Sequence, residues 1–284
     1  MVCIDSERKE KMKKFAVFLC AILLVCAVLT GVASAKGTIV EPAASFAEGN
    51  GKIARFVRIF IDEGGYRQVL RGLKNTMLIA VFGLAIGILL GTLIAAVRVM
   101  PRYKRLPRIL NRICSVYVGF FRGTPIVVQL LLGYYVLLPA LGLNYPALYV
   151  CIAVFGLNSS AYVSEIMRSG ISSVDGGQME AGRALGLPYS TAMLRIVIPQ
   201  AVKNILPTLG NEFVSLIKET SVVSFVGTLD IYVAFNAIGT NSYEFMVPYL
   251  AMALIYILLV AAATALVKLM ERRLARSDRS VSYH

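Results

Sequence analysis

Asn75-Thr-Met-Leu-Ile-Ala-Val-Phe-Gly-Leu-Ala-Ile-Gly-Ile-Leu-Leu-Gly-Thr-Leu-Ile-Ala-Ala-Val97 contains no charged residue, and Arg98 ends the run. A helix needs about 20 mainly apolar residues to cross a hydrocarbon core of about 30 Å. Further runs of this kind cover about Val116 to Pro139, Leu148 to Met167, Leu206 to Val226 and Met246 to Val267. Arg122 sits in the second of them, and the fourth is the most polar. Hydrophobic residues make up 57% of the chain and charged residues 16%, with a mean hydropathy of +0.71. A soluble domain carries about a quarter charged residues, so the pattern implies an all-α, polytopic membrane protein with five spanning helices.

The formal charge of +13 would suit a nucleic-acid partner, but its placement argues against one. Arg98, Arg102, Lys104, Arg105, Arg108 and Arg112 follow the first run. Arg168, Arg183, Arg195 and Lys203 follow the third, and Lys268, Arg272, Arg273, Arg276 and Arg279 follow the last. Residues 140–147 and 227–245 hold no Lys or Arg and read as external loops. Basic residues collect on the cytoplasmic side, which puts loops 98–112 and 168–203 and the C-terminus there. Lys52, Arg55, Arg58, Arg67, Arg71 and Lys74 stand against this rule on the opposite side.

Residues 1–35 have a basic start, an apolar stretch from Phe15 to about Ala33, and Ala33-Ser-Ala35. That is the layout of a signal peptide, with an uncleaved anchor as the alternative; the small-residue site favours cleavage. Residues 36–74 are an extracytoplasmic lead-in, in which Lys52 to Ile61 reads as a short amphipathic helix broken by Gly64-Gly65. The five cysteines show no CxxC spacing, and the one histidine is His284. No histidine-based metal site or catalytic base is available in the body of the chain.

The loop after the third run reads Ser173-Val-Asp-Gly-Gly-Gln-Met-Glu-Ala-Gly-Arg-Ala-Leu-Gly186 and continues to Ile196-Val-Ile-Pro199. Gln178 to Leu185 favours helix, Gly186 can end it, and Pro188 and Pro199 mark turns before the next membrane segment. Gly83, Gly87 and Gly91 form a small-residue stripe that allows close helix approach, read as packing within the chain rather than as a dimer seam. Asn158, Ser159, Glu165, Asn211, Glu212, Lys218 and Glu219 are polar groups in or near spans. Such groups face a pathway or pair internally, and both readings stay open.

Glu180-Ala181-Gly182, then Gly186, then Ile196-Val-Ile-Pro199 resembles the EAA loop of binding-protein-dependent ABC importer permeases, with Gly182 and Ile198 as small departures. Phe121-Arg-Gly-Thr-Pro125, Leu157-Asn-Ser-Ser-Ala-Tyr162 with Glu165-Ile-Met-Arg168, and Leu206 to Ser221 resemble elements of the polar-amino-acid branch (histidine, glutamine, arginine and cystine types). The resemblance implies a five-helix type I transmembrane domain over 75–270, a coupling loop at 168–203 and a basic tail at 271–284. It implies that Gly177, Gln178, Glu180, Ala181, Gly182, Ala184, Leu185, Gly186 and Pro199 meet a separate ATP-binding subunit. ATP and Mg would be held by that partner, since this chain has no G-x-x-x-x-G-K-[ST] phosphate loop and is not itself an enzyme. A second permease subunit, identical or related, and an extracytoplasmic amino-acid-binding protein complete the implied assembly, in a bacterial or archaeal cytoplasmic membrane. The alternative reading is an ion-coupled secondary transporter, which would account for the spans but not for the EAA-like loop.

Overall fold

Gly64 sets where the first long helix begins. Its φ of +77° is a left-handed conformation that glycine adopts without strain. It separates α1 (51–57, ending in the π-helical turn Arg58–Asp62) from α2 (Gly65–Val99). The computed structural model describes residues 51–100 and 105–279, with side chains as far as Arg272. The N-terminal signal-like segment and residues 280–284 of the basic tail lie outside those residues.

After α2 come α3 (Arg105–Gly123), α4 (Ile126–Ala140), α5 (Ala147–Ser172), α6 (Gly176–Ala184), α7 (Tyr189–Val226), α8 (Ile231–Ser242) and α9 (Met246–Arg279). Among the described residues, α2, α5 and the first part of α9 are each long and apolar enough to cross a membrane. The pairs α3/α4 and α7/α8 pass the same test together, bent by 106° and 55°. Counting each bent pair once gives up to five crossings. The all-α, multi-pass expectation therefore holds.

The glycine stripe of α2 packs on α5. A Cβ on Gly83 would lie 3.2 Å from that of Phe155, and one on Gly87 would lie 2.7 Å from Ser159 Oγ. At Gly91 it would meet the Ser160 carbonyl oxygen at 2.8 Å. Backbones this close leave no room for a side chain, so the stripe serves packing within the subunit, as its spacing suggested. Ile79, Leu130, Phe155 and Leu216 form the main apolar core between α2, α4, α5 and α7. Ile59, Val69, Ile231 and Phe235 form a second core joining α1, α2 and α8.

Four expectations need correction. The helix that carries the first run starts earlier than Asn75: α2 begins at Gly65, with Val69 and Gly72 buried although Arg71 lies between them. The second run is not one straight span, since Pro125 cannot continue a helix and the chain turns at Gly123–Pro125. Residues 227–245 are not merely a loop: α8 is buried through Ile231, Ala234, Phe235 and Ile238, and the buried Asp230 caps it by accepting from Val233 N at 2.8 Å. Pro199 does not mark a turn either. A proline inside an α-helix clashes with the carbonyl four residues back, and the π-helical turn Met193–Val197 widens the backbone just before it. Pro139 follows the π-helical turn Leu132–Leu137 in the same way.

Four of the six basic residues of the lead-in also find an account. Arg55 donates to the Ser242 carbonyl at 3.2 Å, and Lys52 pairs with Glu244 at 3.4 Å. Arg58 lies 3.6 Å from Glu63 and Arg67 stacks over Tyr66. Lys52 and Arg55 tie α1 to the end of α8, while Arg58 and Arg67 make contacts within the lead-in itself.

Candidate coupling and translocation site

Helix α6 is built by its caps. Asp175 accepts from Gly177 N at 2.9 Å, which satisfies one of the free donors at the helix start. At the other end Leu187 N donates to Gly182 O at 3.2 Å and Gly186 N to Arg183 O at 3.0 Å, with Gly186 at φ +81°. That pair of bonds is a Schellman ending, which wants glycine at the left-handed position. Only Gly182 is buried in this helix. A Cβ there would come within 2.9 Å of Ile196 Cδ1 and 3.2 Å of Ala192 Cβ, both on α7. The departure from alanine at this position therefore matches an Ile196 methyl filling the space.

Gly177, Gln178, Glu180, Ala181, Ala184, Leu185 and Gly186 are exposed together on one outer surface. Leu185 is 82% exposed, too open for a residue placed only to pack within the chain. Pro199 is exposed as well and lies on α7. Its neighbour Gln200 links the two elements by donating to Gln178 Oε1 at 3.2 Å.

The polar residues of the spans divide into three groups. Asn158 is buried and donates to Gln129 Oε1 at 2.9 Å and to Phe121 O at 3.3 Å. Gln129, also buried, donates to Phe121 O at 2.8 Å, to Thr124 O at 3.0 Å and to Thr124 Oγ1 at 2.9 Å. These bonds cap the carbonyls left open where α3 ends, so the bend is held by side chains of α4 and α5. Sequence reading missed Gln129, which looks like an ordinary polar residue in an apolar run. Gln129→Leu should lower stability by about 3 kcal/mol, since buried acceptors lose their donor. Adding Asn158→Ala should then lower the unfolding midpoint little further; full additivity of the two would contradict a shared network.

The second group centres on Glu165. Arg98 donates to Glu165 Oε1, and Arg168 donates to Oε2 through Nε at 3.0 Å and Nη2 at 2.7 Å. Arg122 lies 3.9 Å from the same carboxylate and 5.4 Å above the Tyr162 ring. One carboxylate is therefore shared by three guanidinium groups from α2, α3 and α5. Its role as a cation ligand for substrate would require displacing them. Arg98 reads in the sequence as a loop charge, so nothing there signals the pairing.

The third group lies along α7. Ser159 Oγ donates to Glu212 Oε1 at 3.0 Å, which brings two expected pathway residues together. Asn211, Lys218 and Glu219 are exposed and make no side-chain hydrogen bond or salt bridge among the described residues. With Thr208 and Ser215 they repeat every three or four positions, which places them on one broad face of a membrane-spanning helix. An exposed polar face in lipid is unfavourable, so it must meet water or protein.

Residues 83–276 match the family model "Binding-protein-dependent transport system inner membrane component". The chain is 37% identical over 210 residues to the arginine transport system permease protein ArtQ of Bacillus subtilis (strain 168), covering 74% of this chain and 94% of that one. It is 32% identical over 212 residues to the L-cystine transport system permease protein TcyL of the same organism, covering 72% and 87%. A crystal structure of an amino acid ABC transporter with histidines superposes with a TM-score of 0.68 at 38% identity, over 73% of this chain and 94% of that one. The MetNI methionine ABC transporter shares the fold, with a TM-score of 0.60 at 18% identity over 73% of this chain and 96% of that one. The chain belongs to the binding-protein-dependent ABC importer permeases, as a transport subunit of their polar-amino-acid branch.

Proposed function

We propose that this subunit carries polar amino acids inward by alternating access, driven by a separate ATP-binding subunit that docks on α6. The observation that carries this reading is that α7 serves both ends of the device. Its first turns hold α6 through Ala192 and Ile196, and its later turns bear the polar face of Thr208, Asn211, Ser215 and Lys218. A displacement of α6 by closing ATP-binding subunits is then passed along one helix to the translocation face. In this reading a second permease subunit, identical or related, supplies the facing wall, and an extracytoplasmic binding protein delivers the amino acid. Relatives named for arginine and cystine transport support the substrate class. In this reading residues 98–112, the last eight of which fold into α3, the segment 168–203 and the C-terminus are cytoplasmic by their basic residues.

Gly186→Asp tests it. A side chain there meets nothing within 4 Å inside the subunit, so it projects outward at the edge of the docking surface. The left-handed backbone adds a strain of about 1 kcal/mol, which the fold tolerates. Tagged wild type should co-purify with a phosphate-loop ATPase, and the variant should insert normally, lose that partner and stop uptake. A wild-type chain that purifies alone and transports with an ion gradient, regardless of ATP depletion, would overturn the reading.

A further inference from the structure

Three oxygen atoms where α2, α8 and α9 meet are buried without a hydrogen-bond partner among the described residues: Thr76 Oγ1, Asp230 Oδ2 and the Tyr256 hydroxyl. Thr76 and Asp230 are fully buried as whole residues. Thr76 belongs to α2, Asp230 to the bend between α7 and α8, and Tyr256 to α9. Contacts on either side bring these elements to one place. Asn75 donates to the Leu229 carbonyl at 2.8 Å, and Gly72, one turn before Thr76, lies against the Asp230 carbonyl and Ile231 N. The Tyr256 hydroxyl lies in the field of the Asp230 carboxylate and beside the Thr220 hydroxyl. Thr220 is itself fully buried and donates to the Ile217 carbonyl at 2.8 Å, which leaves its lone pairs open.

Buried polar groups are nearly always bonded, so three orphans in one place call for a shared partner. The charge of Asp230 decides which partner fits. Its Oδ1 caps α8 through Val233 N, yet the carboxylate makes no ion pair among the described residues. The other titratable groups near it are Tyr256 and Cys151, neither of which carries positive charge. An isolated buried carboxylate is very costly. A water molecule would bond the three oxygens but leave the charge. A proton would remove the charge but leave the Thr76 and Tyr256 hydroxyls unbonded. A monovalent cation does both, because hard cations take oxygen ligands of this kind. A divalent ion would leave excess positive charge beside a single carboxylate.

We propose that Thr76 Oγ1, Asp230 Oδ2 and the Tyr256 hydroxyl, with Thr220 beside them, hold a monovalent alkali cation that pins α8 to α2 and α9. The site shares no residue with the coupling surface on α6 or with the polar face of α7. Its ion is structural, held in place rather than carried across the membrane.

The test uses the purified, assembled transporter at constant ionic strength, with sodium or potassium chloride exchanged for choline chloride, whose cation is too large for the site. The thermal unfolding midpoint should rise by about 4 °C for each tenfold increase in free sodium or potassium above its dissociation constant. Asp230→Asn removes the charge while keeping the size and a good helix cap, so this variant should fold and show one midpoint in all three salts. Thr76→Val and Tyr256→Phe each lack one oxygen, and should need more alkali cation than wild type for the same rise. A wild-type midpoint equal in choline and alkali chlorides would overturn the proposal, and a rise with falling pH instead would give the neutralising role to a proton. Asp230→Asn responding to alkali cations as wild type does would overturn it as well. ATP-driven uptake should be the same with equal cation on both sides of the vesicle as under a cation gradient. A requirement for that gradient would refute the structural role of the ion, while the midpoints would still report whether the site binds it.

Discussion

Gly72→Ala should destabilise the subunit by about 3 kcal/mol, at the upper end of what overpacking a core produces. The added methyl would overlap the Asp230 carbonyl oxygen and lie 2.6 Å from its carbon. Those are backbone atoms, so no rotamer change relieves the contact. Helix α8 begins directly after Asp230, and Asn75 donates to the preceding Leu229 carbonyl at 2.8 Å. Accommodating the methyl therefore means moving α8 off α2 and breaking that bond. Gly119→Ala is the matched control: nothing lies within 4 Å of a Cβ there, and alanine favours helix more than glycine. Thermal unfolding of the detergent-solubilised transporter should show a large fall for the first variant and none for the second. Equal midpoints would mean that α2 and α8 do not approach as closely as described.

Glu165→Ala should be nearly as damaging, for an electrostatic reason. Arg98 and Glu165 side chains are only 14% and 19% exposed, so water replaces little of what the pair provides. Removing the carboxylate leaves Arg98, Arg122 and Arg168 facing one another from three helices. Breaking a buried pair on one side costs about 3 kcal/mol or more, because the remaining charge is uncompensated. Adding Arg98→Met to Glu165→Ala should therefore recover part of the loss, which a purely steric role for Glu165 would not allow. An unfolding midpoint for Glu165→Ala equal to wild type would show that the arginines are solvated without it.

Much of this molecule was legible from local pattern. Apolar runs of bilayer length depend only on composition along the chain, and they marked α2, α5 and α9. The EAA-like loop announced itself through Glu180-Ala-Gly182, Gly186 and Ile196 to Pro199, and the helix-ending role of Gly186 spans a few neighbouring residues and so has a sequence signature, whereas the cap by Asp175 was not read. The glycine stripe was readable because helix periodicity alone places Gly83, Gly87 and Gly91 on one face.

Other features had no such signature, because their partners are distant in the chain. Asn158 meets Gln129 across 29 positions, Ser159 meets Glu212 across 53, and Arg98 meets Glu165 across 67. Nothing local to Asn158 or Glu165 says whether it pairs internally or lines a path. Packing showed that these two are internally bonded while Asn211, Lys218 and Glu219 stay open. Helix α8 escaped notice for a similar reason: twelve residues with few charges read equally well as an external loop, until Phe235 and Ile238 find a core to fill. Sequence by itself marked the apolar runs long enough to cross a membrane and the short helix ended by Gly186, since both follow from runs and local caps. Tertiary structure decided where spans bend and which buried polar groups are satisfied, since those depend on atoms brought together only by folding.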